Sequence, residues 1–232
     1  MKKMSVVAVM LFFGMGVFAQ AVKDRNVIPV GVSLNQVLRM TVTNGGNIEF
    51  VFNTIEDYKN GISSETAASG SANPATSNSM YLTDFTVSSS TRWKLTYGTE
   101  EATFLGTDNP STAFALNNVG FKIRNNGLNL FETAPIQGAT STTSLWSAPT
   151  RNATVVAALQ QYPVVLIEDN NTVNANAGDA ADNSFTLEWR CGTAEGGTTI
   201  PAPMNQVKII DQSPSPAPDR YVVNVLFDLA ID

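Results

Sequence analysis

The amino-acid sequence predicts an all-β protein, an antiparallel β-sandwich of jelly-roll or immunoglobulin-like type with about ten strands and little helix. Two observations lead there. Apolar residues recur at every second position over many short stretches, the period of a half-buried strand. Those stretches are bounded by Gly, Asn and Pro clusters, which punctuate β-structure. The composition agrees. Only 15% of the 232 residues are charged, and 24 Thr, 22 Asn and 18 Ser fill the shortfall.

Taken in chain order, Val27 to Val32 and Val37 to Thr43 read as strands. The turn Asn44-Gly45-Gly46-Asn47 then predicts a hairpin with Ile48 to Asn53. Tyr81 to Ser88 alternates, and Arg92 to Tyr97 sets Trp93, Leu95 and Tyr97 against Arg92, Lys94 and Thr96. Asn125-Asn126-Gly127 between Val119–Arg124 and Leu128–Glu132 predicts a second hairpin. Ser184 to Arg190 places Phe185, Leu187 and Trp189 opposite Thr186, Glu188 and Arg190; Val207 to Ile210 is a shorter candidate. The last stretch, Arg220 to Ile231, is the clearest: Tyr221, Val223, Val225, Phe227, Leu229 and Ile231 share one face. Pro214, Pro216 and Pro218 precede it. Thr154 to Gln161 reads equally as a helix or as a strand running on into Val164–Ile167. Ser63–Ser79, Gln137–Ser147 and Asn170–Asn183 lack the apolar residues that offset ordering entropy, and read as exposed loops. An outer-membrane barrel is the competing architecture, but only the C-terminal strand suits it.

Residues 1–19 read as a secretory signal peptide. Lys2 and Lys3 form the basic start, Ser5 to Val17 the apolar stretch, and cleavage falls after Ala19 or Ala21. That stretch is short for a membrane span of ~20 residues. No membrane span is therefore expected once the signal is cleaved. Residues 20–232 form a single sandwich domain, or two small β subdomains divided near 135–150. Losing Lys2 and Lys3 takes the net charge from −6 to −8. That acidity argues against nucleic acid as a partner.

The chemistry available is narrow. The chain has no His and one Cys, so a Ser-His-Asp triad, a Cys-His pair, a CxxC redox site and an internal disulfide are excluded. Paired carboxylates run glycoside hydrolysis without His, and Glu49, Glu132, Glu168 and Glu188 are the acids to consider. They fall in no recognisable motif, and no enzymatic activity is predicted. No cofactor is predicted either. Asp169, Asp179 and Asp182 offer hard oxygen ligands for a weak calcium site, but match no calcium-loop spacing. Trp93 and Trp189 lie on apolar strand faces and belong to the core. Trp146, with Leu145, sits in a Ser/Thr-rich loop and either plugs the core end or protrudes as a contact for sugar rings. Cys191 reads as a half-buried inert thiol, with an intermolecular disulfide as the alternative.

Three stretches carry a resemblance: FTVSSSTRWKLTYG (Phe85 to Gly98), FTLEWRCGT (Phe185 to Thr193) and DRYVVNVLFDLAI (Asp219 to Ile231). With the signal ending Phe18-Ala19-Gln20, they resemble secreted β-sandwich proteins of Bacteroidota, including fimbrial-subunit-like and cell-surface proteins. The resemblance implies an exported structural protein in the periplasm or on the outer surface of a Gram-negative bacterium. It contains no diagnostic site; the Thr/Asn/Ser-rich composition without catalytic residues and the terminal strand point to self-association or contacts with other cell-surface proteins, with Tyr221, Val223, Val225, Phe227, Leu229 and Ile231 as the assembly strand. The alternative is a carbohydrate-binding or adhesive module with glycans as partners and Trp146 and Leu145 as its contacts.

Overall fold

The computed structural model describes residues 28–64, 79–129, 156–168, 176–195 and 202–232. Twelve strands and one short helix follow in order. They are β1 (Leu38–Asn44), α1 (Ile55–Asn60), β2 (Ile62–Ser63), β3 (Leu82–Ser89), β4 (Trp93–Thr99), β5 (Thr103–Gly106) and β6 (Ala113–Ala115). β7 (Val119–Asn125), β8 (Ala157–Ala158), β9 (Val164–Ile167), β10 (Ser184–Cys191), β11 (Tyr221–Val222) and β12 (Val225–Ile231) complete them. The larger sheet runs β1-β3-β10-β7-β8, with β2 on the end of β10, and a second runs β12-β4-β9. A small sheet, β11-β5-β6, flanks them. All pairings between these strands are antiparallel. The protein is thus an all-β sandwich, as the alternation predicts. Residues Gln36–Asp232 form one unit and Met1–Asn35 another.

The core lies between the two main sheets. The β3 and β4 alternations place Phe85, Val87, Trp93, Leu95 and Tyr97 inward, each buried. Phe85 stacks on Phe185 at 5.1 Å, Trp93 meets the edge of Phe185 at 6.1 Å, and Tyr97 meets Phe121 edge-on at 5.2 Å. Such pairs contribute about 0.5–1.5 kcal/mol each beyond the area they bury. Burial pushes the Tyr97 phenol well above its ordinary pKa.

At Ser89–Arg92 the chain leaves β3 and enters β4 in the opposite sheet. There the main chain of Trp93 has a side chain for a partner. Asn176 Oδ1 accepts the Trp93 N–H at 2.9 Å, and Asn176 Nδ2 donates to the Trp93 carbonyl at 2.7 Å. The indole Nε1 donates to the Asn176 carbonyl at 2.8 Å. Asn129 Nδ2 donates to Asn183 Oδ1 at 2.9 Å, and Asn125 Nδ2 donates to the Asn129 carbonyl at 2.6 Å. Halfway along β4's far end, Gly98 has φ +146°, and a Cβ there would stand 2.4 Å from Tyr162 Cα. Only glycine fits that approach.

Several elements differ from the sequence expectation. The hairpin across Asn44–Asn47 does not form: β1 pairs with β3, and residues 48–53 have no strand partner. Their rings are the reason. Phe50 stacks on Tyr81 at 4.8 Å and Phe52 tilts against Tyr58 at 5.3 Å, so this stretch packs by side chains instead of by a ladder. Asn125–Gly127 likewise makes no hairpin with Leu128–Asn129. Gly127 N–H donates to Asn125 Oδ1 and to the Ser184 carbonyl, which turns the chain back onto β10. Within Thr154–Gln161, the described residues hold β8 and no helix. The expected strand Val207–Ile210 is replaced by a 3-10 turn at Ile209–Asp211. Val27–Val32 is not a strand over its described residues; Ile28, Val30, Val32 and Leu34 are 82%, 86%, 79% and 91% exposed. The helix α1 was not expected, although Thr54-x-x-Asp57 forms a full capping box.

If the Asn176–Trp93 clamp carries the crossover, Asn176→Ala should cost about 2–4 kcal/mol, because two buried main-chain groups lose their partners. Urea unfolding measures this directly; a loss below about 0.5 kcal/mol would show the clamp to be idle.

Candidate functional site

The predicted C-terminal strand is interrupted. Tyr221 and Val222 pair with β5, and Val225 to Ile231 pair with β4. The break at Val223–Asn224 moves the chain from the small sheet to the second main sheet, where Asn224 Nδ2 donates to Glu100 Oε2 at 2.8 Å. The face expected to be apolar does point inward: Val223, Val225, Phe227 and Leu229 pack against the core, and Phe227 lies 6.1 Å from Phe85. Tyr221 is half-buried and Ile231 is half-exposed.

The ladder ends fix which main-chain groups are used. Glu100 N–H donates to the Asn224 carbonyl, and Asp232 N–H donates to the Arg92 carbonyl. The pairing between those ends is regular, so the even-numbered residues bond to β4. Val225, Phe227, Leu229 and Ile231 direct their N–H and C=O groups to the other side. No other strand among the described residues pairs with that side. β12 is therefore a seven-residue edge strand with a half-buried apolar row.

A shallow cleft of about 320 Å³ lies between β6 and the proline segment before β11. Phe114 and Tyr221 form an aromatic wall with ring centroids 5.4 Å apart, and Pro214 and Pro216 line the opposite side. Its amides are engaged within the chain: Gln212 Nε2 donates to Asn118 Oδ1 at 2.7 Å and to the Val207 carbonyl at 3.1 Å. The Tyr221 hydroxyl donates to the Ala217 carbonyl at 2.8 Å. What the cleft offers is ring surface. The sequence signal for it was the Pro214-x-Pro216-x-Pro218 spacing leading into Tyr221; Phe114 gave none.

Asp219 holds the rim of this region. Its Oδ1 accepts from the Asp108 and Arg220 N–H groups, and its Oδ2 from the Asn109 N–H and the Thr112 hydroxyl. These bonds, that from Asp108 foremost, outweigh the effect of desolvation and hold the Asp219 carboxyl below its ordinary pKa.

The other residues singled out from sequence fall as follows. Trp146, Leu145, Glu132 and Asp169 lie outside the described residues. Asp179 Oδ1 accepts from the Ala181 and Asp182 N–H groups, and Asp182 Oδ2 from the Asp179 N–H, so both carboxylates close their own turn. Among the described residues no cluster of three or more acids, His or Cys is placed to hold a metal. Glu188 bonds to Arg124, and Glu49 to Arg220 at 3.0 Å. Trp93 and Trp189 are both in the core, and Trp189 Nε1 donates to Thr83 Oγ1 at 2.9 Å. Cys191 is fully buried, and desolvation pushes its thiol well above the ordinary range. Among the described residues no helix is long and apolar enough to cross a membrane.

No family model and no curated protein matches the chain.

The sign of the Asp219 effect follows from its lowered pKa. It stabilises the fold above the ordinary Asp range near ~4, and that contribution is lost as pH falls through the lowered value. Asp219→Asn is expected to lower the melting temperature at neutral pH, and the gap between the two proteins should close under acid. Melting curves across pH check this; a constant gap would contradict it.

Proposed function

We propose that the chain is an exported structural protein of the bacterial cell surface, a fimbrial-like or surface-assembly subunit that works through protein–protein contact. The open edge of β12 supports this reading most directly. A long edge strand with unpaired main-chain groups is a template for another strand. Two features are consistent with it: a signal-like start, and a surface whose solubility rests on neutral hydrogen-bonding groups.

The protein beginning at Gln20 is expected to form oligomers or fibres by sedimentation and electron microscopy. A sample that stays monomeric across concentrations contradicts the proposal. Ile231→Pro removes an N–H from the free edge and none from the β4 ladder. It should weaken self-association by roughly two- to tenfold, the worth of one hydrogen bond. Surface location is checked by protease accessibility on intact cells.

The aromatic wall of the cleft supports a second reading, a carbohydrate-binding or adhesive module, since a planar ring matches the C–H face of a sugar. Here Phe114→Ala and Trp146→Ala should each weaken glycan binding. A glycan array without signal removes this reading.

A further inference from the structure

Among the described residues the sandwich is incompletely covered along one rim, and residues 28–34 have the pattern of a strand that would cover it. On β4, the inward residues Trp93, Leu95 and Tyr97 are at most 1% exposed. On the neighbouring β12, Val225, Phe227 and Leu229 are only partly buried, as are Leu38 and Met40 on β1, which approaches β12 at this rim. A further strand beside β12 would cover that row and pair with the outward N–H and C=O groups of its odd-numbered residues.

Residues 28–34 have the pattern such a strand needs. Ile28, Val30, Val32 and Leu34 fall on one face, and Pro29, Gly31 and Ser33 on the other. Four large apolar side chains in seven residues stand almost wholly in water. Burying them removes a large apolar area from water, the main favourable contribution to association. At ~3.3 Å per residue the segment matches the length of the seven-residue β12. The one proline is tolerated because an added strand bonds along a single side. Among the other free edges, β8, β9, β6 and β11 offer two to four residues each, too few to seat all four side chains, and the seven-residue β1 carries Arg39 and a register shift between Val42 and Asn44 that disfavour a regular neighbour.

We propose that residues 28–34 of one copy add as a strand to the free edge of β12 in a second copy, extending the β12-β4-β9 sheet and burying the apolar face of the segment over Phe227 and Leu229. The contact is heterologous: each copy presents a segment and an edge, so subunits link head to tail in a ring or an open fibre. This inference rests on the assembly reading above and specifies its contact.

Two variants of the protein beginning at Gln20 test it. Val30→Asp with Val32→Asp charges the apolar face of an exposed segment, so folding and melting temperature should hold. Self-association measured by sedimentation should weaken by at least about tenfold. In a second variant, Ser33→Cys is combined with Leu226→Cys or Ala230→Cys on the outward face of β12, the buried Cys191 remaining in place. Oxidation should then give a ladder of covalent multimers. Oligomers that form in both variants without that ladder overturn the segment-to-edge contact while leaving self-assembly standing. A disulfide closed within one copy overturns exchange between copies, and a wild-type protein without oligomers overturns both readings.

Discussion

A two-sheet sandwich requires the chain to cross from one sheet to the other, and at the crossover the main chain loses its ladder. That constraint organises this protein. At the passage from β3 to β4, the large Trp93 side chain must enter the core while its own N–H and C=O stay buried. An unpaired buried peptide group costs about 1–3 kcal/mol, so the crossover is stable only with a substitute partner. Asn176 supplies one: its side-chain amide has the same donor and acceptor as a peptide and bonds to both Trp93 groups. The indole N–H is satisfied by the same residue. Asn125 repeats the device where β7 turns back toward β10, accepting the Gly127 N–H and donating to the Asn129 carbonyl.

This gives the composition a second meaning. The abundance of Asn, Thr and Ser suggests a neutral surface, and Asn170–Asn183 reads as an exposed loop. Yet Asn118, Asn125, Asn176, Asn183, Thr83, Thr99 and Ser89 are buried. A neutral amide or hydroxyl satisfies a buried main-chain group without the desolvation cost of an ion. The charges that are buried have partners. Glu188 meets Arg124, and Arg190 Nη1 donates to both carboxylate oxygens of Glu195 at 2.9 and 2.7 Å.

Elements that alternate strictly were legible from sequence: β3, β4, β7 and β10 lie within one or two residues of their expected bounds, while β12 ends at Ile231 as expected but starts at Val225 instead of Arg220. Period-2 alternation reports one buried face; β3 alternates in this way throughout, whereas β10, central in its sheet, is buried on both faces. What the sequence hid is non-local choice. Asn44–Asn47 has hairpin chemistry, but β3 outcompetes residues 48–53 because Thr83 Oγ1 donates to the Gly45 carbonyl at 2.7 Å and Asn44 bonds to Asp84. Ala157–Ala158 is helix-prone by composition and becomes a strand because β7 needs a partner on its outer side. Of the candidate surfaces, the inward row of β12 was readable. The aromatic cleft was not, because Phe114 and Tyr221 meet only once β6 and β11 flank β5.

Edges decide what such a sandwich does with other molecules. Sheet proteins that stay monomeric blunt their edges with charge, proline, bulges or shortness. Shortness protects β8, β9, β6 and β11 here. The two long edges are treated differently. β1 carries Arg39 and a register shift between Val42 and Asn44, and both disfavour a regular neighbour. β12 pairs with β4 in unbroken register, and its one charge, Asp228, accepts the Tyr162 hydroxyl on the outward face at 3.1 Å. Its outward main chain has no strand partner among the described residues and is backed by a half-covered apolar row. A strand so placed leaves more main chain and apolar surface for an added neighbour than the short edges β8, β9, β6 and β11 do, which is why the proposed contact is placed at β12.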